Sequence, residues 1–111
     1  MDTKYHIYRP GAAERETVTA DLKSQPSYDD LNAIIRPLLD NQFLEHVSVL
    51  FNGKRADMFV DELGANKGLP INAAATDIYR AAWMKRHPRA EPLTLPAIYG
   101  TAIVFNRIVW F

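Results

Sequence analysis

The sequence contains no cysteine and no excess of charge of either sign. Its 111 residues include 13 Lys and Arg against 13 Asp and Glu. Without cysteine the chain cannot form a disulfide, a zinc-thiolate site, an iron-sulfur cluster or a thiol nucleophile, which fits a reducing compartment. Formal neutrality argues against a dedicated nucleic-acid binder, because neutralising phosphates requires a basic surface.

Long apolar runs are also absent. The first nine residues lack the apolar core of a secretory signal, and no segment is long enough to cross a membrane. We therefore expect a cytoplasmic protein without a membrane partner. The chain is 48% apolar, and a chain of this length can bury one hydrophobic core but not two. These features predict a single small α+β domain over residues 1–111.

The firmest local signal is Asn52-Gly53, because this pair suits the two positive-φ positions of a type I′ turn. It predicts a hairpin of strands 43–51 and 54–62. With a two-residue loop, Phe51 lies opposite Lys54, and the residues further from the turn pair in the same register. In this register a core face carries Val47, Val49, Met58 and Val60, while Ser48 and Arg55 are largely exposed.

Capping residues and apolar periodicity predict two helices. Ser27 can cap a helix whose apolar positions recur every three or four residues as far as Leu39. Pro37 predicts a kink or a break within it, because proline removes an amide donor. Asn72 can cap a second helix that continues to about Arg86.

Four further segments predict strands: residues 5–8, 14–19, 101–105 and 108–111. The resulting order is ββαββαββ. This order favours a two-layer α+β fold, with a mostly antiparallel sheet of about six short strands and both helices on one face.

The second face of the hairpin carries polar residues of the types that catalysis uses. The register places Ser48 opposite Asp57, His46 diagonal to Asp57, and Asp61 further along. A hydrolase also needs an oxyanion hole, and no Gly-x-Ser-x-Gly motif indicates one. Asp57 and Asp61 could instead hold a hard cation. We expect the simpler alternative, a half-solvated face of hydrogen-bonded polar residues.

A second candidate site lies in the segment from Gly64 to Asn72, which leads into the second helix. Free amides at a helix N-terminus favour anions, and Lys67 adds positive charge. The candidate ligand-binding residues are Lys67, Gly68, Asn72 and Thr76. The order of Gly and Lys differs from that of a P-loop, so a structural turn and cap is the alternative.

The cationic residues from Arg80 to Arg89 fall near the carboxyl end of the second helix. The helix dipole alone favours cations there, so we do not expect a nucleic-acid partner.

The apolar residues 108–111 predict an association surface. An apolar strand at the carboxyl end of the sequence is either packed in the sheet or covered by another molecule. As a strand, it would direct Ile108 and Trp110 to the helices and leave Val109 and Phe111 exposed. Because Trp and Phe are favoured interface anchors, we predict a homodimer through Val109, Trp110 and Phe111.

A family resemblance rests on Gly68-Leu69-Pro70-Ile71-Asn72, followed by a helix and then by Ile98-Tyr99-Gly100-Thr101-Ala102. In these residues the chain resembles the family called domain of unknown function 3846, mainly over residues 60–104. The family comprises small uncharacterised proteins of bacteria and bacteriophages. The resemblance implies a cytoplasmic protein of phage or mobile-element origin, and it implies no particular activity, cofactor or catalytic residue.

No complete catalytic constellation is visible in the sequence. His6, His46 and His87 lie in separate predicted elements without metal-ligand spacing, so we expect no metal and no cofactor. The sequence therefore predicts a non-enzymatic accessory protein that acts by protein-protein binding or self-association. The alternative is a protein that holds a nucleotide or other anion at the segment from Gly64 to Asn72, with weak metal-assisted phosphate chemistry through Asp57 and Asp61.

Overall fold

The computed structural model describes residues 1–39 and 44–111, which form five strands and two α-helices. The elements are β1 (Asp2–Tyr8), β2 (Glu16–Asp21), α1 (Tyr28–Leu39), β3 (Leu44–Phe51), β4 (Lys54–Asp61), α2 (Ala73–Arg86) and β5 (Ala102–Phe105), with a short 3₁₀ helix at Pro92–Thr94. One antiparallel sheet has the order β2-β1-β5-β4-β3. The predicted α+β fold is confirmed. The predicted start of the third strand at Phe43 lies outside the described residues.

The β3–β4 hairpin has the register that Asn52-Gly53 predicts. Phe51 pairs with Lys54, and the pairing continues outward to the far end of both strands. The backbone φ angles of Asn52 and Gly53 are 52° and 77°, as a type I′ turn requires. Of the predicted core face, Val49, Met58 and Val60 are buried and Val47 is half-buried; Arg55 is exposed and Ser48 is half-buried.

Both helices begin at the predicted capping residues. The Ser27 hydroxyl accepts a hydrogen bond from the Asp30 amide at 3.1 Å, and the Asp30 carboxylate accepts one from the Ser27 amide at 3.3 Å. Asn72 Oδ1 accepts a hydrogen bond from the Ala75 amide at 3.1 Å. α1 does not break at Pro37 but continues to Leu39, which is buried. Packing of Leu39 offsets the loss of one helical hydrogen bond in the last turn.

The two helices lie on opposite faces of the sheet, so the prediction of both helices on one face is wrong. α2 packs over residues of β4 and β5 that point to one side, including Met58 and Val104. α1 packs over Phe59 and Phe105, which point to the other side. Because β4 and β5 are inner strands covered on both faces, apolar residues occupy both of their faces.

Residues 108–111 do not form the predicted sixth strand. β5 already pairs with β1 on one side and β4 on the other, so it has no free edge for a following strand. The chain turns away after β5, where the Arg107 guanidinium donates to Thr3 Oγ1 and to the carbonyls of Lys23 and Ser24. Residues 106–111, here called the C-terminal segment, therefore leave the sheet and cross its α1 face.

No helix within the described ranges has the length and apolar character needed to cross a membrane.

The buried His6 on β1 should make stability depend on pH. Its ring stacks on Phe51 and its Nδ1 lies 2.9 Å from Thr17 Oγ1. Burial lowers the pKa of His6 below its usual value, and the charges of Arg15 and Lys4 lower it further. The unfolded chain therefore binds a proton at a higher pH than the folded chain does. As the pH falls below about 6.5, the free energy of unfolding should decrease until the lowered pKa is passed.

Urea unfolding of the wild type and of His6→Gln, measured from about pH 7.5 to about pH 5, checks this expectation. The wild type should lose more stability than the variant over that interval. Equal losses in the two proteins would show that another group is responsible.

Candidate functional site

Asp57 on β4 is a buried carboxylate that joins three parts of the chain. It is 2% exposed and points to the α1 face of the sheet. Oδ1 lies 2.6 Å from His46 Nε2 on β3, in the diagonal position that the register predicts. Oδ2 accepts hydrogen bonds from the amides of Val109 at 2.8 Å and Trp110 at 2.9 Å. Because a buried charge requires donors around it, Asp57 fixes the C-terminal segment onto the hairpin.

Trp110 covers the His46–Asp57 pair from the solvent side. Its indole stacks on the His46 ring with a centroid distance of 5.7 Å and an interplanar angle of 20°. It also meets Phe59 at 5.9 Å and Tyr28 at 6.1 Å, both edge-on. Trp110 remains 41% exposed and Tyr28 57% exposed. α1, the hairpin and the C-terminal segment thus build a half-exposed aromatic cluster.

A cleft with a volume of about 310 Å³ opens between α1 and this cluster. We call it the aromatic cleft; its lining residues are Tyr28, Leu31, Asn32, Ile35, Leu44, His46, Phe59, Glu62 and Trp110. Most of these side chains are apolar or aromatic, and Asn32, His46 and Glu62 supply polar groups. Clefts of this composition receive a small molecule or an apolar side chain.

Tyr28 forms the outer rim of the aromatic cleft. Hydrogen bonds with Asn32 and then with Arg36 lower the pKa of the Tyr28 phenol, and the charge of Arg36 adds to the effect. Both partners lie on α1, on the same side of the helix as Tyr28. The exposed ring is therefore held against α1.

The four residues of the predicted polar hairpin face do not meet at one place. His46 and Asp57 form the pair described above. Ser48 pairs with Asp57 across the hairpin as predicted, but its carbonyl faces Arg86 in a different groove, and within the described part of the chain its hydroxyl has no hydrogen bond to His46. The Asp61 carboxylate accepts hydrogen bonds from Lys67 Nζ and from the Leu63 amide, each at 2.8 Å. Among residues 1–39 and 44–111, no group of three or more His, Asp or Glu could hold a metal ion.

The candidate ligand residues near the start of α2 use their polar groups within the protein. Asn72 is 1% exposed, and its amide donates to the carbonyls of Tyr8 at 2.8 Å and Gly100 at 2.9 Å. Thr76 Oγ1 accepts a hydrogen bond from the Ile98 amide at 2.9 Å. These contacts agree with a structural turn and cap.

The turn before α2 also has a structural account. Gly68 has a φ of 70°, which favours glycine, and the Lys67 ammonium lies against the Asp61 carboxylate. Anion binding at this turn stays a prediction.

The predicted interface residues have different positions. The predicted exposure of Val109 is wrong, because its side chain is fully buried in the core beneath α1. Strand alternation does not apply to this segment, since the amides of Val109 and Trp110 both turn to one carboxylate. Phe111 is 70% exposed and follows Trp110 directly. The exposed surface therefore contains Trp110 and Phe111.

Tyr28 contributes the α1 side of the same exposed surface and was not among the residues predicted from the sequence. The signal in the sequence was an aromatic residue at the first position of a helix, three positions before Leu31 and in line with the apolar stripe. Phe59 and Glu62 also line the cleft and were not predicted to do so, because nothing local places α1 over that side of β4.

Comparisons with protein-family models, with curated proteins and with solved structures found no match for this chain. The family resemblance noted from the sequence therefore stays a prediction, and conclusions about function rest on the geometry of the molecule.

Proposed function

We propose that the protein is a non-enzymatic interaction protein that acts by self-association through the aromatic cleft. The observation that supports this function is the exposure of three aromatic side chains at one place. Tyr28, Trp110 and Phe111 are 57%, 41% and 70% exposed, and the first two are in contact. Groups of exposed apolar side chains mark interaction sites, and Trp and Tyr are common anchors there.

A second copy of the chain fits this surface because the surface can complement itself. A twofold interface brings the same patch of two copies together. Here Phe111 is 70% exposed, and the preceding residue, Trp110, lines the aromatic cleft. In the proposed dimer, Phe111 of each copy enters the cleft of the other and meets its aromatic rings edge-on.

The surroundings of His46 support a binding role over a catalytic one. Its Nε2 is engaged by Asp57, and Trp110 covers one face of the ring. Within the described residues, no hydroxyl group is hydrogen-bonded to His46 as an activated nucleophile would be. The proposed cytoplasmic setting follows from the absence of cysteine and of long apolar segments, and the proposed origin in a bacterial phage or mobile element follows from the sequence resemblance.

Sedimentation velocity at increasing protein concentration tests the proposal. We expect the wild type to form a dimer, and Phe111→Ser to weaken it at least tenfold in Kd, since burying a Phe side chain contributes about 1.5–3 kcal/mol. Leu93→Ser is the matched control. Leu93 is 87% exposed in the 3₁₀ helix and does not line the aromatic cleft, so its replacement should leave the dimer unchanged.

A folded wild-type monomer at concentrations up to about 0.5 mM would contradict self-association as the function. A dimer that Phe111→Ser leaves intact would contradict the proposed contact surface.

A further inference from the structure

β3 lies at one side of the sheet, and its outer edge pairs with no other strand among the described residues. In a hairpin with a two-residue loop, Phe51 and Lys54 form a hydrogen-bonded pair, so every second residue of β3 bonds to β4. The residues between them, His46, Ser48 and Leu50, direct their N–H and C=O groups outward. These groups can form the ladder of an added strand.

A groove with a volume of about 450 Å³ follows this edge, between β3 and the second half of α2. We call it the basic groove; it is lined by Ser48, Val49, Leu50, Arg55, Ala82, Lys85 and Arg86. All of its charged lining residues are cations, and the others are apolar except for Ser48. The Arg86 guanidinium donates to the outward carbonyl of Ser48 at 3.4 Å, so this cation reaches the open edge itself.

We propose that the basic groove binds an extended acidic segment of a partner protein, which adds to the sheet beside β3. The main chain of that segment would pair with the outward groups of β3. Because side chains alternate along a strand, acidic side chains on one face of the segment would meet Lys85 and Arg86 of α2, and the side chains on its other face would lie by Leu50 and Arg55, which pair across the hairpin.

Charge and backbone geometry favour this occupant over two others. A second β3 strand would bring the cations of two copies together, and like charges across an interface are unfavourable. A nucleic acid would satisfy the cations but has no peptide groups to pair with β3. The basic groove and the aromatic cleft share no lining residue, so this proposal does not depend on the proposed dimer.

The test is an NMR titration of the isotopically labelled protein with the blocked peptide Glu-Thr-Glu-Val-Glu-Thr-Glu. We expect salt-dependent shift changes confined to β3, the start of β4 around Arg55 and the second half of α2, with slower hydrogen exchange at the amides of His46, Ser48 and Leu50. A peptide with Lys in place of each Glu should cause no such changes.

Paired variants identify the cations involved. The double variant Lys85→Gln and Arg86→Gln should weaken binding of the acidic peptide at least tenfold. The single variant Arg55→Gln removes a cation on β4 and should also weaken binding. Arg89→Gln is the matched control, because Arg89 is an exposed cation that follows α2 and does not line the groove. Its binding should equal that of the wild type.

Three results would overturn the proposal: no shift change with the acidic peptide at millimolar concentration, equal binding of the acidic and basic peptides, or changes that map to β2 instead of β3. None of these results bears on self-association through Phe111.

Discussion

Replacing Asp57 with alanine should lower the free energy of unfolding by about 3–5 kcal/mol, because it removes a buried carboxylate from all of its donors at once. The fully buried Val109 amide and the Trp110 amide would lose their acceptor, as would His46 Nε2. Water cannot easily replace the carboxylate, since Asp57 is 2% exposed. Urea unfolding followed by circular dichroism measures the loss.

Two further variants separate the parts of this network. Asp57→Asn keeps an acceptor oxygen for the amides and should lose less stability than Asp57→Ala. His46→Ala leaves the carboxylate with its two backbone donors and should also lose less.

In a Trp83→Phe background, where Trp110 is the remaining tryptophan, Asp57→Ala should shift the Trp110 emission to longer wavelength as the C-terminal segment detaches. A loss below about 1 kcal/mol in Asp57→Ala would contradict this role of Asp57.

Asn72→Ala should lower the free energy of unfolding by about 2–4 kcal/mol, well beyond the cost of an ordinary helix cap. The Asn72 side chain caps α2 and also bridges the carbonyls of Tyr8 and Gly100, which belong to distant parts of the chain. Alanine would leave these groups without that partner at a site where Asn72 is 1% exposed. Urea unfolding measures the change.

Ser27→Ala is the matched control for Asn72→Ala, because Ser27 caps α1 from an exposed position and should lose only about 1 kcal/mol. Asn72→Ser retains a capping oxygen but lacks the two amide donors, so it should recover about 1 kcal/mol relative to Asn72→Ala. Equal losses in Ser27→Ala and Asn72→Ala would show that the bridge between Tyr8 and Gly100 contributes nothing.

Local chemistry explains which structural features could be predicted from the sequence. Asn52-Gly53 determines a turn by its own backbone preference, and the turn then determines the whole β3–β4 register. The same register brings His46 to Asp57, so half of the buried network could be predicted. The caps at Ser27 and Asn72 also depend on residues only three positions away.

The features that the sequence analysis missed depend on contacts between distant segments. Met58 and Phe59 are adjacent and both apolar, and they pack on opposite faces of the sheet. This pattern predicts a strand that is buried on both faces only if the strand's position within the sheet is already known. Residues 108–111 are as apolar as a strand, but β1 and β4 already occupy both edges of β5. The amides of Val109 and Trp110 reach Asp57 from more than 50 positions away, and no local pattern predicts that.

The proposed dimer is tested most directly by isotope-filtered NOE spectroscopy on a mixture of labelled and unlabelled protein. Self-association through the aromatic cleft predicts intermolecular NOEs between the Phe111 ring of one copy and the side chains of Tyr28, Leu31 and Trp110 in the other. A sample that sedimentation shows to be dimeric but that gives intermolecular NOEs only to β2 or to the basic groove would contradict it.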